Sequence, residues 1–125
     1  MAIEHEVYAG LGKLLGPYSQ AVHAGDFIYV AGQAGLDPAT GQAVGADFES
    51  QARQAFNNLS GVLAAVGSSM SRVVKTTVFL ADPDAFATLN ELYAEYFPSK
   101  PPVRSTPIVR LPRGLLISIE CIALA

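Results

Sequence analysis

The sequence predicts an α+β fold in which a single mixed β-sheet carries two helices on one face. Three observations lead to this prediction: two segments with apolar residues at helical spacing, a β-branched run between them, and extended segments on either side. Each amphipathic helix needs an apolar surface to cover, and one face of the sheet provides it. No linker, repeat or change in composition divides residues 1–125, so we expect a single domain.

The first half of the chain is predicted to hold a hairpin and a long helix. After an irregular glycine-rich opening, the extended run over residues 19–32 is interrupted at Gly25-Asp26, which is a turn signal. Asp47 is a candidate N-cap and Gly67 a candidate stop for the helix that follows. Apolar residues recur through it at positions 48, 52, 55, 56, 59, 62, 63 and 66.

The second half is predicted to add a strand, a helix and a second hairpin. Residues 73–80 are rich in β-branched side chains, and Asp82-Pro83 is typical of a helix start. That helix has apolar residues at positions 86, 89, 93 and 97. Residues 103–109 and 115–124 are expected to form strands joined around residues 111–114. The second face of the sheet would be largely apolar, and we expect it to be buried between subunits.

Composition limits the possible functions. Half of the residues are hydrophobic and 15% are charged, which favours oligomers, and the net charge of −3 disfavours nucleic acid as a partner. No stretch is long enough to span a bilayer, and the opening residues do not look like a signal peptide. Cys121 is the only cysteine and its neighbours are apolar, so we expect an inert core thiol in a cytoplasmic protein.

Arg104 is the most specific chemical feature, because it is a permanent cation within the otherwise uncharged residues 101–109. A buried guanidinium needs an anion. If the final turn has odd length, Arg104 lies opposite Glu120 and Thr106 opposite Ser118. The residues alone leave two interpretations open: a structural ion pair with Glu120, or a site for the carboxylate or phosphate of a ligand.

Other candidate residues are less specific. Asn90 lies in the apolar stripe of the second helix, where its amide either bonds to neighbouring backbone or projects into a cleft. Tyr18 either packs near its turn or stacks on a planar ligand. His5 and His23 are expected to have surface or packing roles, and residues 10–13 lack the spacing of a phosphate-binding loop.

Several motifs stand in a fixed order along nearly the whole chain: GPYSQAV (16–22), AGQ (31–33), PATG (38–41), QARQAFNNL (51–59), VVKTTVFL (73–80), FATLN (86–90), VRS (103–105), LP (111–112) and ISIECIA (117–123). This pattern resembles the YjgF/RidA family, also called endoribonuclease L-PSP, whose best-characterised members are imine deaminases. The resemblance implies a chorismate-mutase-like fold with a six-stranded sheet. It also implies a homotrimer whose sheets form a central barrel, with three clefts between subunits.

The resemblance further implies the chemistry. In active members, the arginine that matches Arg104 holds the carboxylate of a small 2-imino acid, such as 2-iminopropanoate or 2-iminobutanoate, and hydrolysis gives the 2-oxo acid and ammonia. The reaction needs no cofactor and no metal. The residues that match the family's cleft are Tyr18, Asn90, Arg104 and Thr106.

The chain departs from the family pattern at three positions. Ala31 stands where serine is frequent, and Thr106 where cysteine is frequent. Ser118 matches the first of two glutamates, the one associated with water activation, and Glu120 matches the second. We therefore expect Arg104, Glu120 and Ser118 to be the catalytic positions, with Ala31 in the substrate-binding set.

The leading hypothesis is an imine deaminase, and two alternatives stay open. The serine at position 118 motivates a carboxylate-binding or regulatory trimer without turnover. A ribonuclease is disfavoured by the acidic charge balance and the lack of paired histidines. The expected partners are a small imine or 2-oxo acid and further copies of the chain, with no nucleic acid and no membrane.

Overall fold

The computed structural model describes residues 2–6 and 14–125, which build one mixed sheet and two helices. The strands are β1 (Ile3–Glu6), β2 (Ala21–Ala24), β3 (Phe27–Ala34), β4 (Val73–Leu80), β5 (Val103–Ser105) and β6 (Ile117–Leu124). The helices are α1 (Phe48–Ala65) and α2 (Phe86–Tyr96). The strand order across the sheet is β1-β2-β3-β6-β4-β5. All neighbouring strands are antiparallel except β4 and β5, which are parallel.

Helix α1 begins as its capping residue predicts, whereas the predicted cap of the second helix, Asp82, caps a short turn that precedes α2. The Asp47 carboxylate accepts a hydrogen bond of 2.9 Å from the backbone N–H of Ser50, and α1 ends just before Gly67, whose φ of 82° suits glycine. Asp82 accepts from the backbone N–H of Asp84 in a short 3₁₀ turn that leads into α2. These contacts satisfy backbone groups that a helix start leaves without partners.

One face of the sheet forms the core and the other is uncovered in a single chain. Alternate residues of the two central strands are buried on the first face: Thr76, Val78 and Leu80 of β4, with Ile117, Ile119, Cys121 and Ala123 of β6. The helices cover this face with buried side chains, among them Ala52, Phe56, Leu59, Leu63, Leu89 and Tyr93. We call the opposite face the open face. The predicted α+β fold is therefore confirmed.

Two polar side chains of α1 attach the helix to neighbouring loops. The buried Gln51 donates to the carbonyl of Gly45 and accepts from the N–H of Leu116, both at 2.9 Å. Asn58 donates to the carbonyls of Ala34 and Leu36 at 3.0 and 2.8 Å. These bonds fix the end of β3 and the approach to β6 relative to the helix.

The predicted final hairpin is wrong. Strand β5 pairs with β4 in parallel, and β6 pairs with β3 and β4, so β4 lies between the two strands that were expected to be partners. Arg104 is level with Thr76, whereas Glu120 is level with Thr77. Since consecutive strand residues face opposite sides, Arg104 lies on the helix side of the sheet and Glu120 on the open face.

Two physical causes explain this difference. Helix α2 connects β4 to β5 and returns the chain in the same direction, which makes the pair parallel. Pro107 has no N–H for a ladder, and β5 ends at Ser105, after which only Ile108 forms an isolated bridge with Leu80. The chain then needs residues 106–116 to reach β6.

One further expectation needs correction. Residues 3–6 of the opening are not irregular but form the edge strand β1, while residues 10–13 lie outside the described residues. The open face carries the exposed apolar residues Phe27, Tyr29 and Leu124, together with the polar residues Lys75 and Glu120. None of the helices in residues 2–6 and 14–125 is both long and apolar enough to cross a membrane.

Candidate functional site

Arg104 is held by an amide and not by an acid. Its Nη2 donates to Oδ1 of Asn90 at 2.8 Å. Within the described part of the chain, the ion pairs join Arg53 to Glu49 and Glu95, and no carboxylate pairs with Arg104. Of the two interpretations considered for Arg104, the ion pair with Glu120 is therefore wrong. The Asn90 side chain binds the Arg104 guanidinium. The sequence alone suggests either a bond to neighbouring backbone or a side chain that projects into a cleft.

Two aromatic rings of α2 lie against the same guanidinium. The central carbon of the guanidinium, Cζ, is 4.7 Å from the ring centre of Tyr93 and 5.5 Å from that of Phe86. Phe86, Asn90 and Tyr93 are spaced by four and three residues, so they share one face of the helix. The sequence analysis assigned both rings to an apolar stripe and missed this contact. The spacing of Phe86 and Tyr93 around Asn90 is the sequence feature that could have predicted this contact.

Arg104 keeps the capacity to bind an anion. A guanidinium has five N–H donors in a planar fork, and Asn90 engages one of them. The others suit the two oxygens of a carboxylate, which an arginine binds through parallel hydrogen bonds. Thr106, the other candidate on this segment, is half-buried and lies just beyond the end of β5.

Tyr18 belongs to a separate cleft near the end of β3, which we call the Tyr18 cleft. It is lined by Leu14, Leu15, Tyr18, Gln20, Gly32, Gln33, Ala34, Leu36, Asp37, Pro38, Gly41 and Asn58, and Arg104 is not among these residues. Ala31 borders it through backbone bonds: its N–H donates to Gln20 and its carbonyl accepts from the Gln33 side chain, both at 2.9 Å. Tyr18 is exposed, and its hydroxyl accepts from the N–H of Leu15 at 3.4 Å.

Ser118 and Glu120 lie on the open face, as their alternation in β6 predicts. Ser118 is next to the Tyr18 cleft, because a Cβ placed on Gly32 would lie 2.7 Å from the Ser118 hydroxyl oxygen. Glu120 is exposed and lines a shallow cavity together with Tyr29, Lys75 and Thr77. Lys75 donates to the Thr77 hydroxyl at 3.1 Å. Of the predicted site residues, the structure therefore joins Arg104 with Asn90, and Tyr18 with Ala31 and Ser118.

The remaining candidates take part in local structure. Cys121 is buried, and burial raises the pKa of its thiol to about 12, which makes it a poor nucleophile. His5 contacts the Ser19 hydroxyl at 3.1 Å, and His23 contacts the carbonyl of Gly25 at 3.0 Å. Among the residues that the structure describes, no group of three or more His, Cys, Asp and Glu could hold a metal ion.

The family model for endoribonuclease L-PSP matches residues 12–125. This chain belongs to that family. A related protein, the 2-iminobutanoate/2-iminopropanoate deaminase of Mus musculus, is 47% identical over 110 residues, which cover 87% of this chain and 82% of the mouse protein. The match to the endoribonuclease L-PSP model and the identity with the mouse protein confirm the predicted YjgF/RidA membership.

Solved structures agree with the fold. RidA from an Antarctic Psychrobacter superposes with a TM-score of 0.93 at 35% identity, covering 98% of this chain and 99% of that chain. TdcF of E. coli, solved with bound serine, gives a TM-score of 0.90 at 33% identity and covers 98% of both chains. These endoribonuclease L-PSP relatives therefore share the strand order and helix placement over nearly the full length of the chain.

Proposed function

We propose that this protein is an imine deaminase that hydrolyses small 2-imino acids, such as 2-iminopropanoate and 2-iminobutanoate, to 2-oxo acids and ammonia. The observation that carries the proposal is Arg104, a fixed cation with an amide partner and no acidic one among the described residues. The mouse relative is named for this reaction. The serine bound in the TdcF structure is a small molecule with a carboxylate of the kind that Arg104 suits.

The proposed reaction requires the protein to bind the carboxylate, position a water and assist proton transfer. Water adds to the carbon of the protonated imine, a proton passes from the added oxygen to nitrogen, and the C–N bond breaks to release ammonia. Arg104 would hold the carboxylate, which fixes the imine carbon relative to the water. We assign Glu120, the acidic residue of β6, as the proton acceptor, with the Ser118 hydroxyl as a hydrogen-bond partner of the water. This scheme uses no cofactor.

A homotrimer would complete the site. In one chain, Arg104 and the α2 side chains around it, which we call the Arg104 group, lie on the helix side of the β4–β5 edge. The Tyr18 cleft and Ser118 lie at the end of β3. We propose that subunits associate through their open faces and bring the Arg104 group of one chain to the Tyr18 cleft of the next. Tyr18, Ala31 and Thr106 would then line the cleft around the substrate. We also propose that the protein acts in the cytoplasm.

Ammonia release tests the proposal. An amino-acid oxidase would generate imines in situ, and the protein should accelerate ammonia release above the spontaneous rate. Arg104→Ala should weaken binding of the stable reaction product 2-oxobutanoate by about 10–100-fold, because a charged hydrogen-bond donor is lost. Arg72→Ala is the matched control, since Arg72 donates to the carbonyls of Leu124 and Ala125 at the end of β6.

Two outcomes would reject the enzymatic proposal. The first is a wild-type rate equal to the spontaneous rate. The second is an Arg104→Ala variant with the same activity as Arg72→Ala. Stabilisation by 2-oxobutanoate without turnover would instead favour the regulatory, carboxylate-binding alternative.

A further inference from the structure

We propose that Tyr93 is a positioning residue that fixes the guanidinium plane of Arg104 and thereby sets the direction in which the cation meets a carboxylate. The inference rests on the proposed function for its ligand, a small 2-oxo or 2-imino acid. It assigns a functional role to a side chain that would otherwise count as part of the hydrophobic core.

Tyr93 bridges two residues that are neighbours across the sheet. Thr76 of β4 and Arg104 of β5 are register partners, so their side chains lie side by side on the helix face. The Tyr93 hydroxyl is 2.6 Å from Oγ1 of Thr76, and its ring lies 4.7 Å from the Arg104 guanidinium carbon. One side chain of α2 therefore contacts both members of the pair.

The ring itself is held firmly. Thr76 is fully buried and Tyr93 is 7% exposed, so their hydrogen bond is shielded from water. Phe56 meets the Tyr93 ring edge to face at 5.9 Å, and Phe97 packs against it at 4.7 Å. A ring with these three attachments offers Arg104 a surface of fixed orientation.

The contact between Tyr93 and Arg104 is a cation–π contact and not an ion pair. Burial raises the pKa of the Tyr93 phenol, so the ring stays neutral at physiological pH even though the nearby Arg104 charge acts in the opposite direction. The Asn90 bond holds one edge of the guanidinium, but a single hydrogen bond does not fix rotation about itself, and the Phe86 ring is the more distant of the two rings at 5.5 Å. The closer Tyr93 ring, at 4.7 Å, restricts this rotation, because the cation–π attraction is strongest when the guanidinium lies over the ring face.

Calorimetric binding of 2-oxobutanoate to the whole protein tests the role. Tyr93→Leu removes the ring and should raise the Kd about tenfold, the range expected for one desolvated cation–π contact. Tyr93→Phe keeps the ring and should stay within about threefold of wild type. Tyr96→Leu is the matched control: Tyr96 is also on α2 and stacks on Phe56 at 4.5 Å, but its ring is not one of those against Arg104. This variant should bind 2-oxobutanoate as wild type does.

A measurement on the wild-type protein covers the case in which Tyr93→Leu fails to fold. The Nε–Hε NMR signal of Arg104, assigned by its loss in Arg104→Lys, should show a ring-current shift and restricted side-chain motion relative to the exposed Arg110. The proposal is overturned if the Arg104 side chain moves as freely as that of Arg110. It is equally overturned if a folded Tyr93→Leu binds 2-oxobutanoate as tightly as Tyr96→Leu.

The two proposals fail in different ways. If the wild type neither binds 2-oxobutanoate nor accelerates ammonia release, the proposed function is lost. The NMR comparison needs no ligand, so a freely moving Arg104 side chain would still overturn the role of Tyr93.

Discussion

At the residue scale, the environment of Arg104 determines what the cation can do. A guanidinium paired with a carboxylate has its charge neutralised, whereas the amide oxygen of Asn90 orients Arg104 and leaves the positive charge in place. The Tyr93 and Phe86 rings add orientation, again without adding negative charge. A ligand carboxylate can supply the missing anion.

Glu120 carries the first prediction at this scale. Glu120→Gln removes a carboxylate that we assign to proton transfer from the attacking water, while it keeps the size of the side chain. We expect kcat for ammonia release to fall about 100-fold or more, with the Kd of 2-oxobutanoate nearly unchanged, because binding depends on Arg104. Steady-state kinetics and calorimetry measure the two effects. An unchanged kcat would show that another group accepts the proton.

At the scale of elements, the two helices hold different parts of the proposed site. Strand β4, α2 and β5 form one continuous crossover unit, and this unit places Thr76, Asn90, Tyr93 and Arg104 together. Helix α1 fixes the loops at the other end through Gln51 and Asn58. The two halves of the proposed cleft are thus held by different helices.

The N-cap of α1 gives a pH-dependent prediction. The backbone hydrogen bond from Ser50 lowers the pKa of the Asp47 carboxyl below its ordinary value. A lowered pKa means that charged Asp47 stabilises the folded state above its ordinary pKa, and that this contribution is lost as the pH falls through the folded value. Asp47→Asn keeps a capping oxygen but does not titrate.

We therefore expect wild type to have a higher Tm than Asp47→Asn at pH 7. The difference should shrink as the pH is lowered below 3.8, the ordinary pKa of an aspartate. Calorimetric melting at several pH values measures it, and all other acids are common to both proteins. A difference that stays constant with pH would contradict the role of the charged cap.

Gly35 gives a prediction about the contact between α1 and the segment that follows β3. A Cβ at this position would lie 2.4 Å from the backbone oxygen of Gln51 and 2.5 Å from its Cα. Backbone atoms of a helix cannot move aside cheaply, so Gly35→Ala should lower the free energy of unfolding by about 3 kcal/mol. Gly16→Ala is the control, since its nearest contact would be an ordinary 3.5 Å. Urea unfolding compares the two, and equal stabilities would contradict the predicted clash.

At the scale of the whole molecule, the open face is the surface that a single chain leaves unfinished. Tyr29 and Leu124 are exposed there at 45% and 38%, next to Lys75 and Glu120. Apolar side chains on a sheet face normally pack against another layer. In the proposed trimer, the same face of two further copies would supply that layer.

Light scattering tests the assembly. We expect wild type to have three times the mass of the 13.1 kDa chain. Tyr29→Lys adds a second cation beside Lys75 on the open face and should shift the mass to that of one chain, with loss of deaminase activity. Ala64→Lys adds the same charge on the exposed side of α1 and should stay trimeric. A wild-type mass of one chain would remove the proposed intersubunit cleft.

The sequence by itself determined the features that depend on neighbours along the chain. The two helices and their caps, the β2–β3 hairpin and β4 follow from periodicity, capping residues and β-branched runs, and the ordered motifs indicated the family. The sequence also indicates both Arg104 and Asn90 as candidate site residues. The alternation in β6 also put Ser118 and Glu120 on one face.

Only the tertiary structure decided which strands and side chains meet. Period-two alternation gives each strand two faces but does not say which strand lies beside it, so β5 and β6 looked like a hairpin although β4 separates them. The crossover through α2 made β5 parallel to β4 and placed Arg104 under Tyr93, away from Glu120. The neighbours of a strand depend on contacts between segments that are far apart in the chain, and local periodicity does not encode those contacts.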